Sequence, residues 1–271
     1  MKARGAPAAA RVPFFVGEIA VGTVARAHLA ALRAWPSLLA VDERSVTLMT
    51  ADRSAALAEV HTALHAQGLI RAWRDESFAL FDPHTQEVLA TMERAAARFW
   101  GTLTLGAHAN GYVADNEGRP LAMWIAQRAF DKATDPGLFD NLIGGGVPAG
   151  QTPLQALRRE GWEEAGLSPA QMAAAVPAGV LRLHRDVAEG RQLEDLHAYD
   201  LPLPHDVLPQ NQDGEVAGFQ LVPVAEAMSL AAGGAMTVDA GLVTLDFGRR
   251  HGLLPAAEAQ ARAAALFTPA V

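Results

Sequence analysis

Apolar residues recur at intervals of three and four along VARAHLAALRAW (24–35) and SAALAEVHTALHA (54–66), and this period predicts two amphipathic helices. Between them SVTLMT (45–50) reads as a short extended piece. RDESFALFD (74–82) then predicts a strand, and EVLATMERAAARFWG (87–101) a helix ending near Gly101. From about residue 102 the pattern turns β-rich. TLTLGAHANGYV, LAMWIAQRAF, AGVLRLHRDV, DLHAYDLPL and VAGFQLVPV are apolar or alternating runs broken by Gly, Pro, Asn and Asp. Helical periods interrupt them at 153–165 and follow them at 224–232 and 238–250. Such an order predicts an α+β chain: a small N-terminal α+β domain over 1–100, then a mixed sheet with helices packed against it over 101–271.

The helix predicted from Pro153 has clear punctuation. Thr152 can cap it, Pro153 suits its first position, Gln155 can complete a capping box, and Gly166 stands where a left-handed cap belongs. Leu154, Leu157, Gly161 and Ala165 form one stripe, which should seat the helix on the sheet. Glu160, Glu163 and Glu164 fill the adjacent arc, where like charges repel by a few tenths of a kcal/mol per pair. The stripe should present all three carboxylates to one point. An oxygen-only set of this kind suits Mg²⁺ or Mn²⁺, and the simpler alternative is a solvated acidic face. Two features favour the metal reading: the acids have no Lys or Arg at matching positions apart from Arg159 beside them, and a glycine-rich loop, Gly144-Gly145-Gly146, leads into the helix.

Composition narrows the function classes. Net charge is −8 across 271 residues, with two lysines among 22 basic side chains and no basic stripe, so nucleic acid is not an expected partner. An acidic protein can still host phosphates where divalent cations invert the local charge. Without cysteine there is no disulfide framework, thiolate nucleophile or zinc–thiolate site. Half the residues are hydrophobic and mean hydropathy is +0.09, yet no run is long enough to cross a bilayer, so no membrane partner is expected. MKARGAPAAARVPFFVG does not read as a signal peptide, and a cytoplasmic location is the expectation.

The acidic helix lies inside a longer fixed spacing. The pattern G-x5-E-x7-R-E-U-x-E-E-x-G-U, with U a bulky apolar residue, is the Nudix box, and residues 145–167 resemble it. Gly145, Arg159-Glu160, Glu163-Glu164 and Gly166-Leu167 fall on its positions. Two residues depart: Gln151 replaces the first glutamate and Gly161 the apolar residue after R-E. Gln151 precedes the helix, so its missing charge should tune a metal rather than abolish its binding. Gly161 costs the helix about 1 kcal/mol but permits close approach. The resemblance implies a Nudix α/β/α sandwich with a mixed sheet.

The flanks NGYV (110–113), WIAQRAFDKATDPGLFDNLIGGGVPAG (124–150) and DGEVAGFQLVP (213–223) resemble one Nudix subgroup, directed at thiamine diphosphate and found fused to thiamine pyrophosphokinase in some eukaryotes. The likeness is strong from Glu93-Arg94 through Pro223 and weak before it, where the subgroup carries an extra N-terminal domain. It implies hydrolysis of a small-molecule diphosphate, thiamine diphosphate or its oxidised analogues, to monophosphate plus phosphate. Glu160, Glu163 and Glu164 would hold the metal, with Glu163 and Glu164 also in catalytic roles, and Arg159 would orient a neighbouring carboxylate. Glu215 stands as a fourth ligand, a general base or a plain turn acid. Arg128, Lys132, Gly145 and Gly146 are candidate phosphate-side contacts, and Trp124 and Phe139 candidate ring contacts, with Trp162 and Phe219 behind them or all four in the core. Asp140-Asn141 would touch substrate or make a turn, while His108 and His184 read as structural. Two alternatives stay open: a Nudix pyrophosphatase acting on NADH or ADP-ribose, and a non-catalytic binding module. A homodimer is a further expectation.

Overall fold

In a computed structural model, residues 10–254 are described; the segments 1–9 and 255–271, which include most of the stretch judged above for a leader and the ends of both expected domains, lie outside the described residues. The chain divides into two compact units. Among the described residues, one comprises 10–104, 148–150 and 183–194; the other comprises 105–147, 151–182 and 195–254.

In the first unit β1 (Arg11–Val16), β2 (Ile19–Ala25), β3 (Leu39–Val41) and β4 (Val46–Leu48) form a sheet in the order β2-β1-β4-β3. Strand β1 alternates strictly: Val12, Phe14 and Val16 are buried, which is the period-two signature of a half-covered sheet. Pairing of Val24 and Ala25 with β1 shortens the helix expected at 24–35, leaving only α1 (Leu29–Leu32) after a single 3₁₀ turn. Helix α2 (Arg53–Ala66) forms as expected, capped by Asp52. The hairpin of β5 (Ser77–Phe81) and β6 (Val88–Glu93) then corrects the other helix expectation. VLATME has helix-compatible residues, but its pairing with β5 overrides that weak preference, and only α3 (Ala96–Trp100) is helical, ending at Gly101 with φ +55°.

The second unit holds most of the larger mixed sheet, whose residues 103–104 and 183–194 are counted in the first. Its path runs β11 (Val176–Val187), β12 (Gly190–Pro202), β7 (Leu103–Ala114), β8 (Pro120–Arg128), β13 (Val216–Pro223), with β10 (Ile143–Gly146) on β7 and β9 (Phe139–Asp140) on β8. Residues β7 and β8 pair directly only from Tyr112↔Met123 to Ala114↔Pro120. Beyond that they splay, and β9 and β10 fill the opening. Strand β8 shows the layering: Met123 and Ile125 enter a core with α6 (Val224–Gly233) and α7 (Val238–Arg250), while Trp124 between them enters a core with α4 (Pro153–Ala165) and α5 (Pro169–Met172). Helices cover both faces of the sheet, giving the expected α/β/α sandwich.

Candidate active site

Local chemistry places α4 as its sequence suggested. Thr152 Oγ1 accepts from Gln155 N–H and Gln155 Oε1 accepts from Thr152 N–H, closing a capping box, and Gly166 ends the helix at φ +64°. The stripe residues Leu157, Gly161 and Ala165 are buried. A Cβ at Gly161 would come within 2.6 Å of Met172 Sδ and 3.2 Å of Ile143 Cδ1. The missing bulk there is filled by α5 leaning in, so this departure from the box is compensated by packing.

The glycine run is a strand and not the loop expected from sequence. Ile143–Gly146 pair with Gly106–Ala109 of β7, and Gly144, Gly145 and Gly146 do not have positive φ. Their value is room. A Cβ on Gly145 would lie 2.8 Å from Glu160 Oε1, and one on Gly144 would lie 2.7 Å from His108 Nδ1 and 3.1 Å from Asp140 Oδ1. Missing side chains on β10 therefore make the space that acids from α4 and β9 occupy. Gly146, predicted as a phosphate-side contact, lies in register with Gly106.

The three glutamates do not reach one point, which corrects the simplest form of the expectation. Among the described residues no three His, Asp or Glu side chains stand close enough together to hold an ion. Glu164 is 7% exposed and accepts from Gly144 N–H at 3.0 Å. Burial, then the neighbouring Glu160 charge, push its carboxyl well above the usual range; Lys132 works in the opposite direction. Glu163 lies on the outer flank. Arg159 donates to Glu160 Oε1 at 2.7 Å and to Glu163 Oε2 at 2.5 Å, a fork that bridges the two carboxylates and offsets their repulsion. Burial works against the Arg159 charge, but Glu160 and Glu163 together raise its pKa above the ordinary value.

Other sequence candidates scatter. Lys132 reaches the site but pairs with Glu215, so the two neutralise one another. Arg128 is committed to Asp140 Oδ2 at 3.1 Å and to Thr134 O at 3.0 Å, which makes it a brace for the 129–137 loop rather than a free phosphate contact. Phe139 packs in the α6/α7 layer, because its strand neighbour Asp140 takes the α4 side and adjacent residues point oppositely. Trp124 is a core residue beneath α4, yet its Nε1–H has no partner among the described residues. Trp162 is exposed, but at about 100° per residue it lies about 160° round the helix from Glu164.

Two groups of larger weight than the sequence suggested are Asp140 and Asn141. Asp140 is buried, which raises its pKa; His108 and Arg128 act against that rise. Asn141 Nδ2 donates to Asn110 Oδ1 at 2.9 Å and Thr244 Oγ1 at 3.0 Å, so its Oδ1 is the acceptor and His108 Nδ1 carries the proton across 3.0 Å. This network plugs the splay between β7 and β8 and holds Asp140 against the acidic helix. The only advance signal was an Asp-Asn pair beside the glycines.

Residues 104–240 match the model of the NUDIX domain, and residues 1–104 match a domain of unknown function (DUF4743). The chain belongs to the Nudix family. Among relatives of this Nudix chain is Nudix hydrolase 20, chloroplastic, of Arabidopsis thaliana, 38% identical over 205 residues, covering 75% of the chain and 54% of that protein. The chain thus spans about half the length of that relative. Nudix hydrolase 24, chloroplastic, of the same plant is 33% identical over 252 residues, covering 90% of the chain and 68% of that protein. Among solved structures, DR0079 from Deinococcus radiodurans matches 65% of the chain and 98% of its own, at 22% identity and a TM-score of 0.48.

Proposed function

We propose that this Nudix protein is a Mg²⁺- or Mn²⁺-dependent hydrolase of a small-molecule diphosphate, and that the diphosphate is that of thiamine or of its oxidised analogues. The observation that carries the reading is the burial of Glu164 beside Glu160 with Asp140 near enough to repel it. Buried like charges cost several kcal/mol unless something neutralises them. The donor set is all carboxylate oxygen, which fits a hard divalent cation; Glu160 and Glu164 would hold it, with Glu163 available once Arg159 releases it. When bound, such an ion makes the phosphorus more electrophilic and activates water.

The chain's own residues do the rest. The Arg159 fork fixes Glu160, and Gly144 N–H fixes Glu164. A water oxygen bonds to the terminal phosphorus, its proton passes to a site carboxylate, and the bridging P–O bond breaks to leave a monophosphate. Thiamine as the organic part is supported by the resemblance of the stretches around 110–150 and 213–223. The test is a panel of thiamine, oxothiamine and oxythiamine diphosphates, NADH and ADP-ribose with Mg²⁺, reading phosphate release and products. Preferred release of phosphate from the thiamine compounds supports the reading. Cleavage of the dinucleotide or sugar nucleotide alone moves it to the other pyrophosphatase class, and turnover in excess EDTA removes the metal from it.

A further inference from the structure

We propose that Phe130 is the stacking platform for a planar ring in the substrate's organic part, so that the substrate class is a diphosphate ester bearing a heteroaromatic ring. The inference rests on the diphosphate reading above and adds the group that selects the leaving portion. Phe130 is 72% exposed, although burying such a ring would stabilise the fold. It does not sit on a loose tip. Lys132 N–H bonds to Ala129 O at 3.3 Å, closing a tight turn with Phe130 at its corner, and Ala129 N–H bonds to Glu215 O at 2.9 Å. Across the loop, Arg128 holds Thr134 O and Gln127 Nε2–H holds Gly137 O at 3.1 Å.

The ring is also seated from beneath. A Cβ on Gly137 would come within 2.8 Å of Phe130 Cε1, and Gly137 has φ +72°, so glycine is required there twice over. One ring face rests on bare backbone. Arg128, which holds this loop through Thr134 O, also bonds Asp140 Oδ2 at 3.1 Å; Asp140 lies against Gly144, whose N–H bonds Glu164 at 3.0 Å, and this chain of contacts places the turn at the rim of the acidic site. The aromatics suggested by sequence do not compete for this role. Trp124 is core, Phe139 lies in the opposite layer, Phe219 packs against the α4 core and Trp162 faces away from Glu164. A phenyl face attracts cationic rings, which favours a thiazolium over a neutral ring.

The experiment measures binding by calorimetry, in Mg²⁺, of thiamine diphosphate, ADP and the ringless isopentenyl diphosphate to wild type, Phe130→Ala, Phe130→Leu and Phe130→Trp, with KM substituted for any probe that is turned over. Ala and Leu variants should lose about tenfold or more in affinity for the ring-bearing probes beyond any loss for the ringless one, and Trp should restore it. Unchanged melting temperatures are expected because the side chain is exposed. Equal losses on ringed and ringless probes, Leu binding as tightly as wild type, or no binding of ringed probes by wild type would overturn the proposal. Wild-type turnover is read separately: if no diphosphate is cleaved but the ring selectivity holds, the hydrolase reading fails and the platform stands.

Discussion

Replacing Glu164 with Gln should raise stability in the absence of metal while abolishing most activity. The carboxylate is buried with one N–H partner, Gly144, and with Glu160 and Asp140 repelling it. Its folded-state pKa lies above that of an unfolded glutamate, so the folded form binds the extra proton. That favourable linkage is present at low pH and is lost as pH rises through the folded-state value. Each unit of elevation costs about 1.4 kcal/mol once the group is ionised. A Gln of the same size keeps an acceptor for Gly144 N–H and carries no charge. In EDTA at pH 8 the variant should therefore gain about 1–3 kcal/mol, roughly 2–12 °C in melting temperature for a unit of this size. Mg²⁺ at a hundredfold its Kd should add about 2.7 kcal/mol to wild type and much less to the variant, reversing their order. Turnover should fall by about 10²–10⁴. Scanning calorimetry with and without Mg²⁺, alongside phosphate release, reads all three. A variant that is less stable in EDTA and shifts with Mg²⁺ as far as wild type does would show that Glu164 is a structural acid, and the metal assignment would fall with it.

Two further outcomes follow from packing and burial. Restoring the bulky box residue with Gly161→Leu should destabilise by about 1–3 kcal/mol, because its Cβ would already sit 2.6 Å from Met172 Sδ; urea denaturation checks this, and a stabilised variant would contradict the packing account. His61 is fully buried, accepts from Trp100 Nε1–H, and has its pKa pushed down to about 3 by burial. The unfolded chain takes the proton near pH 6.5 and the folded one does not, so stability should fall from about pH 6.5 toward pH 3, with a slope of up to about 1.4 kcal/mol per pH unit. In His61→Leu that part of the slope should disappear whatever the absolute stability, and an identical pH profile for the variant would exclude His61 as its source.

Local interactions were legible without coordinates. Thr152, Pro153, Gln155 and Gly166 mark the ends of α4 because caps act within four residues of one another, and the helices from Val224 and Val238 show their period for the same reason. A mixed sheet with helices packed against it could be read from the apolar β-runs and the helical periods between and after them, whereas the α/β/α layering was implied by the resemblance to the Nudix box. Tertiary structure alone decided what those elements do together. Val88–Glu93 is a strand because β5 is its neighbour, against its own mild helix preference. Lys132 meets Glu215 across 83 positions, and Arg128 meets Asp140 across the sheet opening, so two expected phosphate contacts are internal pairs. Glu160, Glu163 and Glu164 read alike along the chain, yet they face different surroundings: glycine-lined strand for Glu160 and Glu164, the Arg159 fork and solvent for Glu163. A helix period sets the angles of side chains about an axis, whereas burial and charge depend on what the rest of the fold brings against each angle.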